Sequence, residues 1–183
     1  MKTHFSRRNF LQTAAVSTAA AILPGTAKSF SNPDIRQSPV TKGELPKRRL
    51  GRTNAMVSCI GFGGGSRYTN WVANEDMLQK HIDYAINLGI TYFDAARLYG
   101  NGLTEERYGK YLTPKYRNRI FLNSKTIGRT YNLVMKDIET SLSTMNTDYL
   151  DLYCMHGIDQ TEDVDTLLSS SGGYKAMLKL KKE

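Results

Sequence analysis

The sequence predicts an α/β protein of the parallel (β/α)8 TIM-barrel type, of which the first four βα units are present. Short apolar runs that suit buried strands alternate four times with helical stripes after residue 47, and successive βα units form a parallel sheet with right-handed crossovers. Polar side chains follow the carboxyl ends of these runs, which is the face where barrels hold their functional groups.

An open sheet of the flavodoxin-like or Rossmann type is the rival architecture. The run Gly61-Phe62-Gly63-Gly64-Gly65 is a weak likeness of the glycine-rich dinucleotide fingerprint. The glycine spacing differs from that fingerprint, and no helix is predicted directly after it. The sequence therefore favours the barrel.

The net charge of +8 belongs mostly to the amino-terminal region. Residues 1–27 carry three basic side chains, and residues 28–50 carry six basic and two acidic ones. From Gly51 onward, 16 Lys and Arg stand against 15 Asp and Glu. Because the predicted folded part is near neutral, the charge gives no support to nucleic-acid binding.

Residues 1–27 are predicted to be a targeting segment. Arg7 and Arg8 precede Phe10 and Leu11, and an alanine-rich, weakly apolar run follows. This pattern resembles a twin-arginine signal peptide, with small residues before position 28 as a cleavage zone. The resemblance implies the twin-arginine export machinery as a partner and a periplasmic or exported protein. Residues 28–46, which hold three prolines, are predicted to be a linker.

The first predicted elements are two short strands around a turn at Asn54, followed by a first sheet strand over residues 57–62. A helix is predicted from about Asn74, as its N-cap, to Leu88. The second strand covers residues 90–93, and a second helix begins at Thr104, whose hydroxyl is expected to cap it, and stops before Pro114.

The second half of the pattern repeats the first. A third strand is predicted over residues 120–125, and a helix after Thr130 carries apolar residues at helical spacing. The fourth strand covers residues 149–155, an acidic loop covers 159–165, and a last helix runs from Gly173 to the end of the sequence. Cys59 and Cys154 lie in apolar runs and are expected to be buried free thiols, and no metal site is predicted.

Four polar side chains fall at or just past three strand ends: Asp94, Tyr99, Lys125 and His156. In one barrel they converge on one mouth. A tyrosine gives up its proton reluctantly near neutral pH, a nearby ammonium favours the phenolate, and a carboxylate keeps that ammonium in place. A histidine can donate a hydrogen bond to a carbonyl oxygen. This set fits protonation of a carbonyl oxygen while another group delivers hydride.

These motifs resemble those of the aldo-keto reductases. The resemblance rests on Phe93-Asp94-Ala95-Ala96 with Tyr99-Gly100-Asn101-Gly102, on Ser124-Lys125-Thr126 and on the run from Asp151 to His156. It implies that Tyr99 is the proton donor, that Lys125 and Asp94 tune it, and that His156 orients a small-molecule carbonyl substrate. It also implies NADP(H) as cofactor, with Gly63, Gly64 and Asp94 beside the nicotinamide. The sequence has Ala95 where the family usually has threonine.

The resemblance covers residues 47–183 and corresponds to the amino-terminal half of the family's barrel, since a whole barrel takes roughly 250 residues. The predicted function is thus an NADPH-dependent aldo-keto reductase that lacks the later, cofactor-binding strands. The alternative is a non-catalytic half-barrel that self-associates, or pairs with another chain, through its open edges.

Overall fold

A computed structural model of the chain describes residues 45–71 and 75–182, all within one compact unit. The predicted leader, almost all of the predicted linker and the expected cap at Asn74 lie outside these residues. Within them, two sheets form. One is a two-stranded antiparallel hairpin and the other a four-stranded sheet whose strands are all parallel.

The hairpin consists of β1 (Lys47–Arg49) and β2 (Met56–Ser58). A 3-10 turn, Gly51–Thr53, connects them, and Asn54 closes it with a left-handed φ of 61°. An asparagine adopts this conformation at low cost, so the predicted turn is confirmed. The strand predicted over residues 57–62 is wrong, because it divides between two sheets.

The parallel sheet has the order β3 (Gly61–Gly63), β4 (Tyr92–Asp94), β5 (Phe121–Thr126) and β6 (Leu152–Met155). Each strand thus pairs with its neighbours in sequence, as the first four strands of the predicted barrel should. β3 and β6 lie at the two edges of the sheet that the described residues form. Closure into eight strands stays a prediction.

Helices follow every strand of the parallel sheet. They are α1 (Ser66–Trp71), α2 (Glu75–Asn87), α3 (Leu103–Tyr111), α4 (Thr113–Tyr116), α5 (Tyr131–Thr144), α6 (Thr161–Leu168) and α7 (Gly173–Leu180). Three of these correct the sequence prediction. α1 begins at Ser66, directly after Gly65, where the sequence predicts no helix, so the glycine spacing alone separates this run from the dinucleotide fingerprint. Pro114 does not simply end a helix: it lies in the first turn of α4, where its missing N–H costs nothing. The acidic segment expected to be a loop forms most of α6, whose first turn carries Glu162 and Asp163 at the positive end of the helix dipole.

The core lies between the sheet and helices α2 to α4. Phe93 of β4 is fully buried, stacks on Phe62 at 5.3 Å between ring centroids and meets Tyr108 edge-on at 6.1 Å. α2 contributes the fully buried Leu78 and Ile82, which share one helical face. This packing fixes β4 against α3 and so fixes the carboxyl end of β4. Across the described stretches, none of the helices is long and apolar enough to cross a membrane.

Candidate active site

The carboxyl ends of the four parallel strands carry all the residues that the sequence singled out. Asp94 is the last residue of β4, and Tyr99 lies in the loop that follows it. Lys125 is the next-to-last residue of β5, and His156 follows β6 directly. Gly63 ends β3 and pairs with Asp94 in the sheet register. Parallel pairing therefore brings all of them to one edge of the sheet.

Lys125 is at the centre of this cluster. Its ammonium donates to the Asp94 carboxylate at 2.5 Å, to the Ala95 carbonyl at 2.9 Å and to the Tyr99 hydroxyl at 3.3 Å. It also lies 4.8 Å from the centroid of the Tyr99 ring. The Lys125 and Asp94 side chains are 17% and 25% exposed, so their ion pair is only partly screened by solvent. The cation therefore links the carboxylate to the phenol.

His156 meets the cluster through Tyr99. The two rings are 5.6 Å apart between centroids and nearly perpendicular, at 82°. An edge-on contact of this kind is a favourable aromatic arrangement. The structure thus brings Asp94, Tyr99, Lys125 and His156 into one cluster. Lys125 contacts both Asp94 and Tyr99, and Tyr99 contacts His156.

Asn123 belongs to the same cluster, and the sequence prediction missed it. Its amide donates to the Asp94 carboxylate at 2.6 Å, and its oxygen accepts a weak hydrogen bond from the Cys154 thiol at 3.6 Å. Because the carboxylate oxygen that accepts from Asn123 also accepts from Lys125, the amide fixes where that oxygen lies. A polar residue in the middle of a buried strand was the available signal, since side chains two residues apart share a face of the strand.

Gly64 is required for packing. A Cβ at this position would lie 2.4 Å from the Asp94 carbonyl oxygen and 2.4 Å from Cγ2 of Thr104. The N–H of Gly64 donates to the Asp94 carbonyl at 2.9 Å, and its own carbonyl accepts from the Thr104 hydroxyl at 2.5 Å. The N–H is therefore not available to a ligand. At Gly63, by contrast, a Cβ would meet nothing within 4 Å, so that side of the strand end is open.

The expected capping of a helix by Thr104 is wrong. α3 begins at Leu103 after Gly102, and the Thr104 hydroxyl bonds Gly64 instead. Of the two glutamates at this helix start, Glu106 is exposed and Glu105 is not. Glu105 is fully buried, pairs with Arg97 at 2.8 Å and accepts from the Ser124 hydroxyl at 2.6 Å.

Two further groups near Asp94 stay protonated. Burial raises the pKa of the Tyr108 phenol well above its ordinary value, and this phenol donates to the Asp94 carbonyl at 3.2 Å. Burial also raises the pKa of the Cys154 thiol, and the nearby Lys125 cation lowers it by less than burial raises it. Both cysteines are free, as predicted, but Cys59 is exposed and Cys154 is half-buried. The described part of the chain contains no cluster of metal-binding side chains.

Comparison with known proteins gives two family matches. The model of the aldo/keto reductase family matches residues 59–183, and the model of the twin-arginine translocation signal sequence matches residues 4–24. The export signal and the family resemblance are both confirmed.

Individual relatives agree with this assignment. An aldo-keto reductase of Strobilurus tenacellus is 34% identical over 66% of this chain and 39% of its own length. The L-galactose dehydrogenase of Arabidopsis thaliana is 33% identical over 79% of this chain and 46% of its own. The chain thus spans less than half the length of these curated relatives.

Solved structures show the same relationship. The holo form of an aldo-keto reductase from Bacillus halodurans superposes with a TM-score of 0.60 and 29% identity, over 75% of this chain and 47% of that one. An aldo/keto reductase of Klebsiella pneumoniae in complex with NADP and acetate has a TM-score of 0.51 and 28% identity, over 62% of this chain and 41% of that one. The chain belongs to the aldo/keto reductase family.

Proposed function

We propose that this chain carries the acid–base site of an NADPH-dependent reductase, which converts a carbonyl group to an alcohol. The observation that carries the proposal is the position of the Lys125 ammonium. It contacts the Asp94 carboxylate at 2.5 Å and the Tyr99 hydroxyl at 3.3 Å, at the carboxyl ends of adjacent parallel strands. A cation held between a carboxylate and a phenol favours proton transfer from the tyrosine, because it stabilises the phenolate.

Each residue then has a separate part in the reaction. Tyr99 donates its proton to the oxygen of the substrate carbonyl, and Lys125 favours this step because its charge stabilises the phenolate that remains. Asp94 holds the ammonium charged and in place, and Asn123 holds Asp94. His156, beside the Tyr99 ring, orients the carbonyl oxygen through a hydrogen bond.

The residues present fit part of a nicotinamide site. The open side of Gly63 lies beside Asp94, which leaves room for a flat group at the strand ends. Gly64 keeps β3 close to β4 and contributes no free N–H. When bound, NADPH would supply the hydride. Binding of NADPH by this chain, which spans less than half the length of the two curated relatives named above, is part of the proposal.

The proposed organisation has three segments: a twin-arginine signal peptide at 1–27, a linker at 28–46 and the amino-terminal half of a reductase barrel at 47–183. Because the twin-arginine machinery carries folded proteins, this organisation implies export to the periplasm after folding. Appearance of a product that starts near residue 28 in the periplasmic fraction supports it. Retention of Met1 in the cytoplasm would contradict it.

The test of the reaction compares two tyrosine variants in an assay of NADPH oxidation with small aldehydes and ketones. Tyr99→Phe should abolish turnover, since it removes the donated proton. Tyr84→Phe is the matched control, because Tyr84 is an exposed tyrosine of α2 outside the cluster, and it should leave turnover unchanged. Equal rates in both variants would contradict the role of Tyr99.

Cofactor binding has its own test. The chain has a single tryptophan, Trp71, so quenching of its fluorescence by NADPH can be followed without ambiguity. A full-length family member in the same assay is the positive control. If that control responds and this chain does not, the chain is not a reductase on its own.

A half-barrel without activity is the second candidate function. The observation that favours it is the exposed sheet edge: all four residues of β6 are only half-buried, whereas β5 is mostly buried. Edge strands with free backbone groups tend to pair with another strand. Light scattering combined with the NADPH assay separates the two functions. A monomer that oxidises NADPH excludes the inactive half-barrel, and an inactive dimer supports it.

A further inference from the structure

Arg129 lies in the loop after β5, close to the proposed site but outside the cluster described above. Its guanidinium makes four hydrogen bonds. Nη2 donates to the carbonyls of His156 and Gly157, both at 2.8 Å, and Nη1 donates to the Ile127 carbonyl at 3.1 Å. Nε donates to the Asp163 carboxylate at 2.7 Å. One side chain thus ties the loop after β5 to the loop after β6 and to the start of α6.

The main chain at His156 is held on both sides. Its N–H donates to the Thr126 carbonyl at 2.9 Å, and its carbonyl accepts from Arg129. Among the described residues, no hydrogen bond holds the imidazole itself, and its ring meets the Tyr99 ring in a perpendicular contact. The position of the imidazole therefore depends on the backbone that carries it.

That backbone has an unfavourable arrangement without a cation. Gly157 adopts a left-handed φ of 59°, and the carbonyls of residues 156 and 157 converge on a single nitrogen of Arg129. Two neighbouring carbonyl oxygens directed at one point repel each other unless a positive donor lies between them. A planar guanidinium, with several N–H groups in fixed directions, can serve both carbonyls and a carboxylate together.

We propose that Arg129 is a positioning residue that sets the place of His156 against Tyr99, with Asp163 holding the guanidinium in its orientation. The inference deepens the proposed function and rests on it for any effect on turnover. The side chains of Arg129 and Asp163 are 19% and 24% exposed, so their ion pair contributes modestly to stability. Its importance lies in the direction that it gives to Nη2.

The chain offers a matched control at the opposite end of the sheet. Arg117 also binds two main-chain carbonyls, of Ile120 and Tyr149, and one carboxylate, of Asp151. These acceptors lie before β5 and β6, at the amino ends of the strands. Arg117→Lys thus removes the same kind of contact as Arg129→Lys, with the same charge retained, away from His156.

The experiment follows His156 by NMR in the full chain, with His156→Gln used to assign its signal among three histidines. In the native chain, the Tyr99 ring 5.6 Å away should displace the His156 ring-proton shifts, and the hydrogen-bonded His156 amide should exchange slowly. Arg129→Lys should lose the displacement and raise that amide's exchange rate on the order of tenfold or more. Arg117→Lys should leave both unchanged. Unchanged His156 signals in Arg129→Lys would overturn the proposal.

A second variant tests the proposal even if Arg129→Lys folds poorly. Asp163→Asn removes only the charge of one acceptor, and it should shift the His156 signals part of the way towards those of an exposed histidine. Native His156 signals in a folded Asp163→Asn chain would overturn the role of Asp163 as the group that orients Arg129.

Turnover is measured in parallel and separates this inference from the proposed function. If the native chain turns over NADPH, Arg129→Lys should lower kcat by about 10- to 100-fold with a smaller change in KM. If the native chain is inactive, the proposed function fails, and the NMR comparison still decides whether Arg129 positions His156.

Discussion

Gly64→Ala tests the structural account of the site most directly. The added Cβ would lie 2.4 Å from both the Asp94 carbonyl oxygen and Cγ2 of Thr104, whereas real Cβ atoms essentially never come within 3.0 Å of such atoms. Either the backbone of β3 or that of β4 must therefore move by at least 0.6 Å. The Asp94 carbonyl cannot yield freely, because Gly64 and Tyr108 both donate to it.

The magnitude follows from this forced movement. Overpacking of a close-packed interior costs about 1–3 kcal/mol, and a clash with two restrained groups belongs near the upper end. A loss of about 2–3 kcal/mol corresponds to a decrease in Tm of roughly 5–10 °C for a chain of this size. Since the displaced peptide carries Asp94, any turnover should fall on the order of 10- to 100-fold.

Gly63→Ala is the control one residue earlier. Its Cβ would meet nothing within 4 Å, so the free energy of unfolding should stay within about 1 kcal/mol of the native value or rise slightly. Urea unfolding followed by circular dichroism measures both variants. If Gly64→Ala is as stable as Gly63→Ala, the close approach of β3 to β4 is not the reason for the glycine. Weaker NADPH binding in Gly63→Ala, at unchanged stability, would in addition support its place beside the nicotinamide.

Three further predictions concern groups with unusual surroundings. The Tyr116 hydroxyl donates to Asp83 and holds the pKa of that carboxyl below its ordinary value. The ionised Asp83 carboxyl thus contributes to stability above its unfolded pKa of about 3.9, and this contribution is lost as pH falls further. The stability difference between the native chain and Asp83→Asn should therefore shrink in acid titrations of unfolding. Alkylation with iodoacetamide near pH 8 should modify Cys59 well before Cys154, because Cys59 is exposed and burial raises the pKa of the Cys154 thiol. Glu105→Gln should lower the free energy of unfolding in urea, because it leaves Arg97 without its buried anionic partner. Since Arg97 is partly exposed to water, the loss should be about 2–3 kcal/mol, below that for a fully buried pair.

Each of these has an outcome that would contradict it. A stability gap between the native chain and Asp83→Asn that stays constant below pH 4 would mean that the Tyr116 contact does not act on the ionised carboxyl. Equal alkylation rates would show that Cys154 is open to solvent. An unchanged unfolding curve for Glu105→Gln would show that its charge adds nothing, and Glu106→Gln, an exposed neighbour on the same helix, is the control for that comparison.

Local patterns predicted most of the parallel sheet. Strands β4, β5 and β6 lie within about three residues of their predicted positions, because each is an apolar run bounded by turn residues. The two failures have different causes. Residues 57–62 divide between β2 and β3, because Met56–Ser58 pairs with Lys47–Arg49 whereas Gly61–Gly63 pairs with Tyr92–Asp94. The residues within 57–62 do not show which distant strand each of them will pair with. The acidic composition of residues 159–165 predicts a loop, although acidic residues also favour the first turn of a helix, as Glu162 and Asp163 do here.

The sequence by itself determined the order of the βα units and which strand ends carry Asp94, Tyr99, Lys125 and His156. The period of the apolar residues sets the elements, and parallel connection sends their polar ends to one edge of the sheet. The tertiary structure alone decided which atoms meet. It placed Asn123 on Asp94, the Thr104 hydroxyl on Gly64 and the Arg129 guanidinium on the carbonyls after β6. Hydrogen bonds act over about 3 Å, and groups distant along the chain reach that separation only once the strands are paired and the helices packed.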